Sequence, residues 1–264
     1  DLGMLFMVTL PFVLYYYADS GTLGKLFTLL IVCALLYGVY MTNSRGTMLG
    51  LLGLTGLFFL LRYGSGKAIV AGLMSAPVFL AVAGSVREIS ADEASAKGRL
   101  WAWWDGLEML RANPVFGVGK GNFLEHHERV AHNTYIQVVA ELGLVGYLMW
   151  ITMLFLTLLM GYKCVLKLRF AARDHLPPEL IAELKLSATC FYSLAAFCMT
   201  AFFLSRDRFI VLYILLGIAI AAYLRVVQAN GGEPLFNIRQ VVPRIVAGAI
   251  AVILFTYGIL KVTL

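Results

Sequence analysis

Charge is the scarcest commodity in this sequence. Of 264 residues, only 14% are Asp, Glu, Lys or Arg, while 61% are hydrophobic. A soluble domain of this size carries roughly a quarter charged residues. A large core cannot absorb the difference, because a globule still needs a wettable surface. Cysteine is equally uninformative about a disulfide scaffold: Cys33, Cys190 and Cys198 lie inside apolar runs, and Cys164 sits beside Lys163. None falls in the one long polar stretch, so no disulfide framework is implied. No cleavable signal peptide is evident. The chain opens on Asp1 rather than Met, which leads us to expect further sequence upstream. A net charge of +6 does not point to nucleic acid either. A nucleic-acid reader gathers its basic residues on one soluble face, whereas here they punctuate apolar runs.

What is abundant is uninterrupted apolar sequence. About 20 such residues cross a bilayer as a helix, and fewer suffice where flanking charges snorkel. Charge-free runs at 2–18, 26–44, 46–61, 68–86, 142–162, 186–205, 209–224 and 245–260 give eight spans. The expected fold is therefore an all-α, polytopic transmembrane bundle with one sizeable outer loop. It divides into N-terminal helices at 1–86, a loop at 87–133 and C-terminal helices at 134–264. Orientation follows from the Lys/Arg bias of short loops. The segment between spans five and six holds Lys163, Lys167, Arg169, Arg173 and Lys185, which makes it cytoplasmic. Alternation then gathers 11 basic and 5 acidic residues inside, against 10 and 10 outside. Two crossings separate Arg45 from His132, so both are expected on the outer face.

The outer loop is the only sizeable region outside the apolar runs. Its first part, 90–98, is polar and small and reads as flexible. Next, Leu100, Trp103, Trp104, Leu107 and Leu110 recur at helical spacing, as in an amphipathic helix lying in the interface. Asn113-Pro114 should end that helix. Gly117, Gly119 and Gly121 follow; with no strand or βαβ unit before them they are not a dinucleotide loop, and they read as a flexible return toward the membrane. His126 and His127 beside Glu125 and Glu128 fit no standard metal spacing, so a solvated loop is the better account.

In order and spacing, a set of motifs resembles one family. The set comprises Asn43-Ser44-Arg45-Gly46, then Arg99 with Trp103, then the run from Asn113 to Phe123, and finally His132-Asn133 leading to Glu141-Leu142-Gly143. It is similar to the O-antigen ligase/O-antigen polymerase superfamily of bacterial membrane glycan transferases. That resemblance implies a multi-pass protein of the inner (plasma) membrane with its active site facing the periplasm. It implies an undecaprenyl-diphosphate-linked glycan as donor, and as acceptor a saccharide hydroxyl on lipid A-core, a protein or a growing glycan. Transfer would be inverting, with no metal and no cofactor. Arg45 and Arg99 match the family's diphosphate-binding arginines and His132 its catalytic histidine.

The chemistry of these residue types agrees. Departure of a diphosphate needs preorganised positive charge, and Arg is always charged and grips phosphate bidentately. A histidine titrates near working pH and suits a base. Ser44 and Asn133 are expected to cap the third and fifth spans, whose positive N-termini favour anions and a neutral imidazole. Further candidates carry bland readings beside the functional ones. Trp103 is an interface anchor or a sugar-stacking face. Glu141 caps, pairs with an arginine or orients a catalytic group. Arg206 adds to an anion site or pairs with Asp207. Three functions compete: glycan ligation or polymerisation, transport without covalent chemistry, and a structural subunit. Transport would place ionisable groups at mid-membrane, whereas here they cluster at the outer rim.

Overall fold

The computed structural model describes residues 2–64, 66, 89–171, 175–205 and 209–263. Helices dominate, and no strand is present among the described residues. In chain order they are α1 (Leu2–Asp19), α2 (Thr22–Met41), α3 (Arg45–Tyr63), α4 (Ile89–Ala112), the single turn α5 (Phe123–His126), α6 (Thr134–Arg169), α7 (Pro178–Ala201), α8 (Ile210–Ala229) and α9 (Ile238–Thr263). All but α4 and α5 are long and apolar enough to cross a membrane, seven helices in all. They account for seven of the eight expected spans; the run at 68–86 lies outside the described residues.

The boundaries differ from hydropathy in instructive ways. The second run stops at Met41, and Thr42, Asn43 and Ser44 form the turn before α3. The sixth run begins eight residues early, at Pro178, because Glu179, Glu183 and Lys185 ride on the first turns of α7. Helix α4 also begins early: the segment expected to be flexible is helical from Ile89. Its Ala91, Glu93, Ala94, Ala96 and Lys97 are residue types that favour that state.

The chain forms two compact units. The first comprises Asp1–Val86, Thr157–Thr200 and Ile210–Phe236; the second comprises Arg87–Leu156, Ala201–Phe209 and Asn237–Leu264. The core of the first is built on Met7, Val39, Met48, Leu54, Ala195 and Ala196. Helices approach closely there because small residues remove the obstacle, as is usual between membrane helices. A Cβ on Gly50 would lie 2.8 Å from the Thr200 methyl. Pro11 removes a donor from α1, and one turn away the Ser193 hydroxyl donates to the Val8 carbonyl. The polar ends of this unit gather as alternation requires. Lys185 Nζ lies 3.3 Å from Asp19 Oδ1, Arg225 pairs with Glu183, and Lys167 donates to Asn230. Every one of these residues belongs to the side assigned to the cytoplasm by charge bias.

In the second unit, α4 buries Ala102, Gly106, Leu107, Met109 and Leu110. Gly106 is required by packing, since a Cβ there would meet Ile136 at 2.7 Å and the fully buried Phe123 at 3.1 Å. Trp104 stacks on Tyr257 of α9, with ring centroids 5.4 Å apart and planes 14° apart. The Tyr257 hydroxyl donates to Glu108 at 3.2 Å. Through its charge first and its hydrogen bond second, Glu108 also raises the Arg111 guanidinium above its ordinary pKa. Of the three clustered tryptophans, only Trp101 is largely exposed, at 49%.

Candidate active site

Two helix starts carry the candidate residues, one in each unit. At α3, Asn43 takes a left-handed φ of 48°. Ser44 follows as N-cap, accepting from the Thr47 N–H at 3.3 Å and from the Thr47 hydroxyl at 3.0 Å. Arg45 is the first helical residue and is partly buried. At α6, His132 takes a left-handed φ of 49°. Asn133 then caps, its Oδ1 accepting from the N–H groups of Tyr135 at 3.0 Å and Ile136 at 3.3 Å. Both expected caps are present. Asn133 is only 3% exposed and its carbonyl oxygen is engaged by the helix. Left-handed backbone is uncommon for residues other than glycine, and here the caps and their packing hold it in place.

His132 is partly exposed, between two anchored neighbours. On one side, the Trp103 indole donates to the Ala131 carbonyl at 2.8 Å, and its ring meets Phe202 edge-on at 5.5 Å. On the other, beyond Asn133, the Thr134 hydroxyl donates to the Leu204 carbonyl. Arg99 lies four residues before Trp103, one turn away on the same face of α4. Within the second unit, then, Arg99 and Trp103 share the helix face that is bonded beside His132. Arg45 belongs to the first unit, and Arg206 lies outside the described residues. Beside the cap opens an apolar groove of about 490 Å³, lined by Trp103, Asn133, Tyr135, Tyr147 and residues of α9.

The glycine-rich loop is not a loose return to the membrane. Helix α6 breaks at Gly143, where φ is 63° and ψ is −168°. A break should orphan the carbonyls of Ala140 and Glu141 and the N–H groups of Leu144 and Val145. The loop satisfies all four. Val118 and Gly119 donate to Ala140 and Glu141, each at 3.0 Å; Leu144 and Val145 donate to Pro114 and Val115 at 2.9 and 3.3 Å. The backbones touch so closely that a Cβ on Gly117 would lie 2.4 Å from the Ala140 oxygen. A Cβ on Gly143 would lie 2.5 Å from Gly117 N. Glu141, only 1% exposed, completes the clamp. Its Oε2 accepts from Gly121 N at 2.7 Å and its Oε1 from Gln137 at 3.0 Å. The structure therefore places Glu141 as a strut between α6 and the loop.

His127 departs from the expected solvated loop. Its Nδ1 lies 2.8 Å from Asp105 Oδ2 and its side chain is 17% exposed, with the ring against Phe123. Phe123 turns inward under α4 and carries its neighbour along, a contact no spacing rule reports. His126 stays exposed and bonds locally to the Asn122 carbonyl. Two features of the site escaped sequence reasoning: the Asp105–His127 pair and the Gly143 break. For the second a signal existed, since Glu141 and Gly143 stand inside a membrane-length helix, where a carboxylate is costly and a glycine weakens the helix.

No curated protein and no solved structure matches the chain. A family model described as O-Antigen ligase matches residues 29–151. That match takes in both capped turns, Arg99 and Trp103, the glycine-rich loop and the Gly143 break. The segment that carries both capped turns, residues 29–151, is thus similar to the O-antigen ligase family.

Proposed function

We propose that this chain moves a glycan from undecaprenyl diphosphate to a saccharide hydroxyl at the periplasmic face of a bacterial inner membrane. The family match supports glycan transfer in general. The anchoring of His132 between the Trp103–Ala131 bond and the buried Asn133 cap supports the finer reading. Catalysis needs a base held in a narrow geometry at the membrane surface, where donor and acceptor headgroups meet.

In this mechanism His132 accepts the proton of the acceptor hydroxyl as its oxygen attacks the anomeric carbon. The bond from that carbon to the diphosphate oxygen breaks, and its electron pair leaves with undecaprenyl diphosphate. Attack opposite the leaving group inverts the anomeric centre. Arg45 and Arg99 are assigned to the diphosphate, whose charge rises as the bond opens; an electrostatic contact that strengthens in the transition state raises the rate directly. Arg45 is assigned to the outer face by span parity. The apolar groove beside Asn133 would take part of the prenyl chain, and Trp103 would border the sugar.

Purified protein incubated with an undecaprenyl-diphosphate oligosaccharide and a panel of acceptors tests this reading. A new glycosidic product, lost on His132→Ala, is the expected result. Unchanged turnover by His132→Ala in a well-folded sample would sink the mechanism. The products also separate ligase from polymerase: a single transfer onto lipid A-core or protein is ligation, whereas a ladder of repeat units identifies the chain as a polymerase. Glu141 is assigned a supporting role, through Gly121 and Gln137.

A further inference from the structure

At the opposite end of α3 from Arg45, the first unit contains a second groove. Arg62 is 17 residues beyond Arg45, so the two lie about 26 Å apart along the helix at 1.5 Å per residue. The groove runs between α1, α3, α6 and α7 and encloses about 530 Å³, within the range of about 300–1,000 Å³ typical of small-molecule sites. Its walls are apolar, with Leu14, Leu54, Phe58 and Tyr192 among them, and three cations line its polar end: Arg62, Arg169 and Lys185.

We propose that this groove binds an anionic glycerophospholipid, with an acyl chain between α3 and α7 and the headgroup phosphate among Arg62, Arg169 and Lys185. Charge sets the ligand class. Among the described residues one acid opposes the three cations, Asp19, which lies 3.3 Å from Lys185. Two helix C-termini also end nearby, those of α3 and α6, and each carries roughly half a negative charge. Arg169 reaches over the first of them: a Cβ on Gly64, the residue that caps α3, would lie 3.6 Å from its Nη2. Among the described residues about one positive charge is left uncompensated, which suits a phosphodiester with a single negative charge. Two of the wall hydroxyls are already engaged, because Thr55 and Thr189 donate to carbonyls of their own helices. Interfacial cations commonly snorkel to bulk headgroups; here they flank a cavity open to a chain, and that pairing distinguishes a site from an anchor. Charge bias assigns this end to the cytoplasmic leaflet, so the lipid is distinct from any donor held near His132.

The test is photolabelling of the purified chain in nanodiscs of phosphatidylcholine doped with phosphatidylglycerol bearing a diazirine in its acyl chain. Adducts are expected on peptides containing Phe58 and Tyr192, and the matching diazirine phosphatidylcholine should label them several-fold less. Arg62→Gln with Lys185→Gln should reduce the phosphatidylglycerol adducts about tenfold, because each basic residue contributes measurably to anionic-lipid affinity. Should that variant fail to fold, the wild-type comparison alone decides. Equal labelling by the two lipids, or adducts no denser there than on the exposed Ile214 and Ile218 face of α8, would overturn the site.

Discussion

The turns before α3 and α6 share a backbone plan and differ in what they expose. Each runs from a left-handed residue through a polar cap into a helix: Asn43, Ser44 and Arg45 in one, His132, Asn133 and Thr134 in the other. In the first, the ionisable group follows the cap and the left-handed position holds asparagine, a residue that tolerates it. In the second, the ionisable group itself occupies the left-handed position, and Asn133 beneath it is almost fully buried. Strain at a non-glycine residue persists only where surrounding structure holds it. Around His132 that structure is dense: the indole bond at Ala131, the Thr134–Leu204 bond, and the clamp two turns further along α6. Around Asn43 the backbone and cap bonds are local: the Asn43 N–H donates to the Tyr40 carbonyl, and Ser44 accepts from Thr47. A shared cap geometry can therefore present a cation on a simple turn and an imidazole on a braced one.

The comparison can be broken most sharply by placing glycine at each left-handed position. His132→Gly keeps the backbone and removes the imidazole; transfer should fall by on the order of 10²–10⁴, measured as turnover of the lipid-linked donor. Activity within a few-fold of wild type would reduce His132 to a turn residue. Gly143→Ala should have the next largest effect, because its Cβ would strike the backbone of Val115 and Gly117 at 2.5 Å. A loss of about 3 kcal/mol or more is expected, read as a lower denaturation midpoint; a stable Ala variant would mean that the clamp yields readily. The caps come third. Asn133→Ala should cost about 1–2 kcal/mol and Ser44→Ala about 0.5–1 kcal/mol, and the reverse order would contradict the contrast drawn between the two turns. The smallest effect belongs to Asn43→Gly, which should shift stability by only a few tenths of a kcal/mol, since asparagine visits this conformation readily. Its transfer rate should match wild type if Arg45 is still presented correctly.

Much of the bundle was legible because hydropathy and helical geometry are local properties. An apolar run of membrane length has few alternatives to helix, and the seven described spans follow from that. Their ends were harder, because hydropathy counts side chains while helices are continued by backbone. The first turns of α6 and α7 carry Gln137, Glu141, Glu179 and Glu183, so both helices began earlier than their apolar runs. The Gly143 break was hidden for the complementary reason: it lies within an apolar stretch, and its four backbone partners come from residues 20 to 30 positions away. At the candidate site, the caps at Ser44 and Asn133 could be read directly, since capping reaches only three residues. The partners of Trp103 and His127 lie 28 and 22 residues off and could not.

By itself, the sequence determined that this chain is a membrane-spanning helical bundle, where its helices lie, and which capped turns present Arg45 and His132. Each of these depends on interactions within a few residues or on the cost of bare backbone in hydrocarbon. Only the tertiary structure decided that the glycine-rich loop mends a broken helix, that Glu141 braces it, and that Trp103 is tied beside His132. Those outcomes require distant backbone groups to meet at hydrogen-bonding distance, and nothing in local pattern or composition specifies such a meeting.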